Sequence, residues 1–187
     1  MMTLYLCGVS VVVAMAIGVP LGIWAASGAT AGRVIGGIVD TLQTLPSFVY
    51  LMPAVMLFRV GDLAALVAII GYAMVPAVRY PHLGLARIPQ TVLEAARAAG
   101  ATRRQLLWKV ELPAALPTIM AGLTQCIMLS LSMVVFAALI GAGGLGTEIN
   151  RALGSRRIDL GLEAGLAIVV LAIVLDRMTR IGRTTRK

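Results

Sequence analysis

The chain has 187 residues, 59% of them hydrophobic and 13% charged, with a mean hydropathy of +0.94. Soluble domains carry about 25% charged residues, so this composition excludes a water-soluble fold and points to apolar runs that cross a bilayer. The net charge of +8 does not mark a nucleic-acid surface, because the basic residues fall between those runs, where Lys and Arg set membrane orientation.

Five runs, 4–26, 34–58, 63–78, 118–140 and 160–175, approach the roughly 20 residues needed to cross the hydrocarbon core. They lack the period-2 alternation of barrel strands, so their backbones are satisfied as helices. The fold class expected is therefore an all-α membrane protein of about five transmembrane helices, forming one domain over 1–187. The first run is a mature span rather than a secretory signal: no Lys or Arg precedes Arg33, and it exceeds a signal's apolar region of about 7–15 residues. Pro46 and Pro53 in the second run and Pro76 in the third predict kinks or breaks. Around Pro46, the polar-capable Gln43, Ser47 and Tyr50 are candidates for lining a solute path, although packing between helices explains them equally well. Cys7 and Cys126 lie inside apolar runs and read as small buried residues.

Orientation follows from the loops. Placing the connection between the third and fourth spans in the cytoplasm puts Arg79, Arg87, Arg97, Arg103, Arg104 and Lys109 inside. Arg33 and the tail residues Arg177, Arg180, Arg183, Arg186 and Lys187 join them. Only Arg59, Arg151, Arg156 and Arg157 then remain outside. Five spans put Met1 outside and Lys187 inside, a start that predicts extra N-terminal spans in longer relatives. Within the spans, Asp40 reaches the interface or pairs with Arg33, and Glu163 pairs with Arg156 or Arg157; neither is at the midplane, which disfavours a proton relay. The spans do not divide into two similar halves, as in many secondary transporters, and one chain is thin for enclosing a solute path, so a permease homodimer is expected.

The connection over 79–117 is the most informative stretch. A short Ala- and Leu-rich helix is predicted over 90–99, with Gly100 as its C-terminal stop. Thr102 and Gln105 have capping-box spacing and start a second helix, which Pro113 is expected to end. The outcome is a helix, a tight turn and a helix projecting from the membrane. Arg97, Arg103 and Arg104 invite comparison with a DNA-binding helix-turn-helix, but tethering between two spans excludes it, and no nucleic-acid partner is expected.

Glu94-Ala95-Ala96, three residues, Gly100, nine residues, then Val110-Glu111-Leu112-Pro113 resembles the EAA loop of binding-protein-dependent ABC importer permeases, with Val110 where isoleucine is commoner. In that family the loop is a coupling helix that docks into a groove on a cytoplasmic ATPase, and small residues permit close approach. The resemblance implies coupling roles for Glu94, Ala95, Ala96, Gly100, Leu112 and Pro113. It extends from about Thr3 to Arg180 and narrows to the glycine betaine and proline branch. The narrowing rests on Asp40-Thr41-Leu42-Gln43-Thr44-Leu45-Pro46-Ser47-Phe48-Val49-Tyr50-Leu51, on 112–122, and on Leu131-Ser132-Met133-Val134-Val135. Gly143-Gly144-Leu145-Gly146 and Leu171-Ala172-Ile173-Val174-Leu175-Asp176-Arg177 complete it.

What the resemblance implies is a type I ABC importer permease for glycine betaine, proline or a related quaternary amine, in the bacterial inner membrane. Its partners would be an ABC ATPase subunit and an extracytoplasmic solute-binding protein. No Walker A sequence is present, so no cofactor is expected in this chain and ATP is used by the ATPase. A permease for another amino acid or an anion, or a secondary transporter driven by an ion gradient, are the alternative readings. Few rings lie within the spans, Phe48, Tyr50 and Tyr72 among them, so the aromatic cage that a quaternary ammonium favours is expected on the binding protein.

Gly141-Ala142-Gly143-Gly144-Leu145-Gly146 matches the dinucleotide-binding pattern, but it follows a membrane span rather than a short strand of a βαβ unit. It reads as a flexible extracytoplasmic turn where close packing is needed. His82, the single histidine, reads as exposed or interfacial and excludes a multi-histidine metal site, and no catalytic set can be assembled.

Overall fold

The computed structural model describes the backbone of residues 1–184 and the side chains through Met178. The side chains of Arg180 and Arg183, and all of Arg186 and Lys187, lie outside the described residues. Among the described residues the chain is all-helical. Four helical segments are long and apolar enough to cross a membrane: Met2–Ala26, Asp62–Ala86, Arg103–Ile140 and Ile158–Met178. A fifth candidate is a pair of shorter helices bent by 98°.

Helix α1 (Met2–Ala26) buries Thr3, Leu6, Cys7, Ser10, Val11, Ala14, Gly18, Gly22 and Ala25, a stripe at helical spacing, and leaves Val12, Ile17 and Trp24 exposed. In lipid an apolar exposed face costs nothing, so association depends on close packing of small residues. Gly18-x-x-x-Gly22 supplies it: a Cβ at Gly18 would lie 2.4 Å from the Cβ of Ala77, and one at Gly22 would lie 2.4 Å from the carbonyl oxygen of Val78. Both neighbours belong to α4 (Asp62–Ala86), which also packs on α7 (Leu112–Ala137). The core lies among these three helices, with Leu6, Ile69, Met133 and Val134 in one cluster and Val11, Ala73, Ala77 and Leu131 in another. Cys7 and Cys126 are buried free thiols, and Cys126 Sγ donates to the Ala73 carbonyl at 3.3 Å.

The expected second span is two helices, α2 (Ala29–Thr44) and α3 (Ser47–Phe58). A residue preceding proline is pushed out of the helical region, and Leu45 accordingly has φ −71° and ψ 133°. Pro46 is also extended, at φ −57° and ψ 142°. Two extended residues re-aim the chain, and the Tyr50 hydroxyl donates at 2.5 Å to the Leu42 carbonyl, which also accepts from Leu45 N–H at 3.3 Å. Pro53 and Pro76 lie inside continuous helices.

Helices α5 (Gln90–Ala98) and α6 (Arg103–Leu106) follow α4, and a π-helical turn (Leu107–Glu111) joins α6 to α7. The connection expected over 79–117 is therefore shorter, because α4 continues through Ala86 and α7 begins at Leu112. Pro113 does not end the second short helix. It stands in the first turn of α7, directly after the π-helical turn, and the helical segment runs on through it to Ile140.

At the opposite end of the bundle, α7 closes through a 3-10 turn (Ala138–Ile140) into the glycine-rich segment. That segment is pinned rather than flexible. Gly61 N–H donates to the Ile140 carbonyl at 3.1 Å, Gly143 N–H to Asp62 Oδ1 at 2.8 Å, and Leu145 N–H to Thr3 Oγ1 at 2.8 Å. Close packing is present as expected, since a Cβ on Gly144, at φ +115°, would lie 2.5 Å from Thr3 Oγ1. Helix α8 (Leu145–Ser155), too polar to read as a span, then leads to α9 (Ile158–Thr184), which packs on α7 and α8.

Candidate functional site

The short helix α5 is shaped by its ends. Pro89, extended at φ −59° and ψ 135°, starts it. At the other end Gly100 has φ +82°; its N–H donates to the Arg97 carbonyl at 2.9 Å while Ala101 N–H reaches the Ala96 carbonyl at 3.1 Å. This is the Schellman arrangement, and its left-handed position favours glycine. Two residues later Thr102 and Gln105 close the expected capping box: Gln105 N–H donates to Thr102 Oγ1 at 3.4 Å, and Thr102 N–H to Gln105 Oε1 at 2.9 Å.

Beneath α5 lies a small core of Ile88, Leu93 and Leu106, flanked by Leu85, Ala96 and Val110. These residues come from the end of α4 and the residues just after it, from α5 itself, and from α6 and the π-helical turn, so α5 is seated where the end of α4 meets the chain leading into α7. Glu94, Ala95 and Gly100 are exposed, whereas Ala96 is half-buried against the small core. Leu112 and Pro113 are not beside them in sequence or element: they lie beyond the π-helical turn, Leu112 half-buried and Pro113 exposed.

A second feature lies deeper. One face of α4, at the helical spacing Tyr72, Val75, Pro76, Arg79, Tyr80 and Leu83, borders a cavity of about 440 Å³. Gln125 and Leu129 of α7 and Gln43 at the end of α2 complete its walls. Of the three pathway candidates, Gln43 alone lines it. Tyr50 stands behind, its ring 5.4 Å from that of Tyr72 in an edge-on arrangement at 70°, and half-buried Ser47 is not among the lining residues.

Arg79 bridges the two walls, donating to Gln43 Oε1 and lying 3.3 Å from Asp40 Oδ1. Asp40 thus pairs with Arg79, not with Arg33, whose Nε donates to the Ala29 carbonyl at 3.3 Å. The pairing proposed for Glu163 is also absent: Glu163 is exposed, and Arg157 pairs with Asp159 at 2.7 Å. His82 is half-buried, with Nδ1 enclosed and without a hydrogen-bond partner. Sequence reasoning missed Arg79 and Tyr80 because the third span was ended at Val78, and it passed over Gln125 inside the fourth run. The available signal was the helical stripe from Tyr72, which continues unbroken to Leu83.

Helix order, the broken α2–α3 pair and the small helix seated on two spans define a multi-pass membrane protein with the type I ABC importer permease fold. The chain belongs to the family of binding-protein-dependent transport system inner membrane components, whose pattern matches residues 18–182. It is 45% identical over 185 residues to the glycine betaine transport system permease protein OpuAB of Bacillus subtilis (strain 168), covering 99% of this chain and 66% of that protein. With the glycine betaine/proline betaine transport system permease protein ProW of Escherichia coli (strain K12) it shares 47% over 189 residues, 100% of this chain and 53% of that one. The chain therefore spans between about half and two thirds of the length of these curated relatives. Its fold is similar to an inward-facing crystal form of the MetNI methionine ABC transporter, with a TM-score of 0.89 and 25% identity, covering 100% of this chain and 94% of that one.

Proposed function

We propose that this chain is the membrane-spanning permease subunit of an ATP-driven importer for glycine betaine, proline betaine or a related quaternary amine. The observation that carries the reading is the placement of α5: a short helix with an exposed rim of Glu94, Ala95 and Gly100, seated through Leu93 on the end of α4 and on the stretch from α6 through the π-helical turn that runs into α7. A partner that moved α5 would move the two helices that wall the cavity. The relatives' names supply the solute class.

In this proposal α5 and the C-terminus face the cytoplasm of a bacterial cell, where a separate ABC ATPase binds ATP and docks on the α5 rim. Leu112 and Pro113 hold the start of α7 in line with that contact. An extracytoplasmic binding protein delivers solute at the glycine-rich end, and a second copy of the chain completes the path. ATP binding biases a two-state gate, and this chain contributes no chemistry of its own.

The test is reconstitution in liposomes with and without the ATPase and binding protein. Accumulation of labelled glycine betaine is expected only with all components and ATP, and excess unlabelled proline betaine should compete. Accumulation by the chain alone under an ion gradient would favour a secondary transporter, and competition by an unrelated amino acid or anion instead would reassign the solute.

A further inference from the structure

The cavity beside α4 combines two chemistries that a zwitterionic methylammonium solute requires at once. A quaternary ammonium has no N–H to donate and is held by the faces of aromatic rings. A carboxylate is held best by a guanidinium. Tyr72, Arg79 and Tyr80 all line the same cavity of about 440 Å³, a volume within the range of about 300–1,000 Å³ usual for small-molecule sites.

We infer that this cavity is a transit site for the solute within the permease itself, with Arg79 taking the carboxylate and the rings of Tyr72 and Tyr80 taking the methylammonium group. The inference rests on the osmolyte reading above and adds a site in this chain to it.

Each ring is held in place by its surroundings. The Tyr50 ring packs edge-on against Tyr72, and Tyr50 is itself tied to the Leu42 carbonyl. Tyr80 leans on Gly122, where a Cβ would come within 2.6 Å of the Tyr80 Cβ, so glycine at 122 makes the room that Tyr80 occupies. Arg79 is held at the cavity by Gln43 and Asp40, both from α2. The side chains of Arg79 and Asp40 are 41% and 67% exposed, and an ion pair so open to water is weak. A solute carboxylate can therefore replace Asp40 on Arg79 without stripping a buried charge of its partner. The same openness keeps affinity low, as passage requires. Gln125, across the cavity on α7, adds an amide able to donate to the second carboxylate oxygen.

The test uses the full chain in lipid nanodiscs, with saturation-transfer NMR reading the methyl protons of glycine betaine, and with tetramethylammonium and acetate as probes of each half of the site. Glycine betaine should bind more tightly than either fragment. Arg79→Gln should weaken glycine betaine about tenfold while leaving tetramethylammonium unchanged. Tyr72→Leu and Tyr80→Leu should weaken both by about three- to tenfold, and Tyr72→Phe and Tyr80→Phe should restore them. Equal affinity in the wild type, Arg79→Gln and the two Leu variants would overturn the inference, as would absence of saturable binding to the wild-type chain. Uptake by the complete transporter separates the two readings. Normal wild-type uptake with Arg79→Gln and both Leu variants also at wild-type rate would remove the site and leave the importer standing. Absence of any osmolyte uptake by the wild type would instead remove the importer reading, and the nanodisc measurement would still decide the site.

Discussion

Substitution of Gly18 by alanine isolates the contact that joins α1 to α4. The new Cβ would fall 2.4 Å from the Ala77 Cβ and 2.8 Å from the Ala77 carbonyl carbon, whereas ordinary contact begins at 3.4 Å. Neither neighbour can rotate away, so the two helices must separate by about 1 Å along their closest approach, and overpacking of this kind costs about 2–3 kcal/mol. Alanine recovers about 0.5–1 kcal/mol of helix propensity, which leaves a net destabilisation of about 1–2.5 kcal/mol. Gly8→Ala, in the same helix but with nothing within 4 Å of its Cβ, serves as the internal reference and should be neutral or slightly stabilising. The assay is unfolding in mixed micelles with rising SDS, followed by fluorescence of Trp24 and Trp108, the two tryptophans of the chain. Equal midpoints for Gly18→Ala and Gly8→Ala would refute the claim that close approach at Gly18 and Gly22 holds the bundle.

Gly100→Leu has room for its side chain but not the backbone freedom, since φ is +82° and nothing lies within 4 Å of the Cβ position. The cost of about 1–2 kcal/mol should re-aim α5 and abolish ATPase co-purification and uptake together, with membrane insertion intact and Gly100→Asn partly active; normal ATPase binding by Gly100→Leu would refute the assignment. Thr102→Ala removes the cap of α6 and should cost about 1 kcal/mol, read as faster amide hydrogen exchange over 103–106 with α1 unaffected. Asp62→Ala should lose the bond to Gly143 N–H and loosen the glycine-rich turn, read as earlier proteolytic cleavage between 141 and 147. A reporter active only in the periplasm, fused after Lys187, should give no signal, because Arg177, Arg180, Arg183, Arg186 and Lys187 cluster at and beyond the end of the last span.

The features legible in the sequence were those whose cause is local. Apolar run length revealed the spans, Pro46 foretold the break although Pro53 and Pro76 made none, and the Thr102–Gln105 spacing with Gly100 outlined α5 and α6, since capping and left-handed turns are settled within a few residues. Gly18-x-x-x-Gly22 went unread in the sequence, and the structure shows it as the small-residue contact of α1 with α4. Charge misled at Arg79, which reads as a loop residue in a hydropathy scan. In the fold it stays on α4, which runs on to Ala86, and Asp40 and Gln43 of α2 meet it there.

By itself, then, the sequence determined that this is a multi-pass helical membrane protein carrying a capped helix, turn and helix between two spans, because hydropathy, caps and proline geometry act within one turn or one span. Only the tertiary structure decided which face of α4 turns to α1 and which borders the cavity. Gly18 and Gly22 draw Ala77 and Pro81 to one side of α4, and the same rotation turns Tyr72, Arg79 and Tyr80 toward Gln43 and Gln125 on the other. That choice depends on the steric fit of one helix to another, a relation between residues some 60 positions apart that no local pattern encodes.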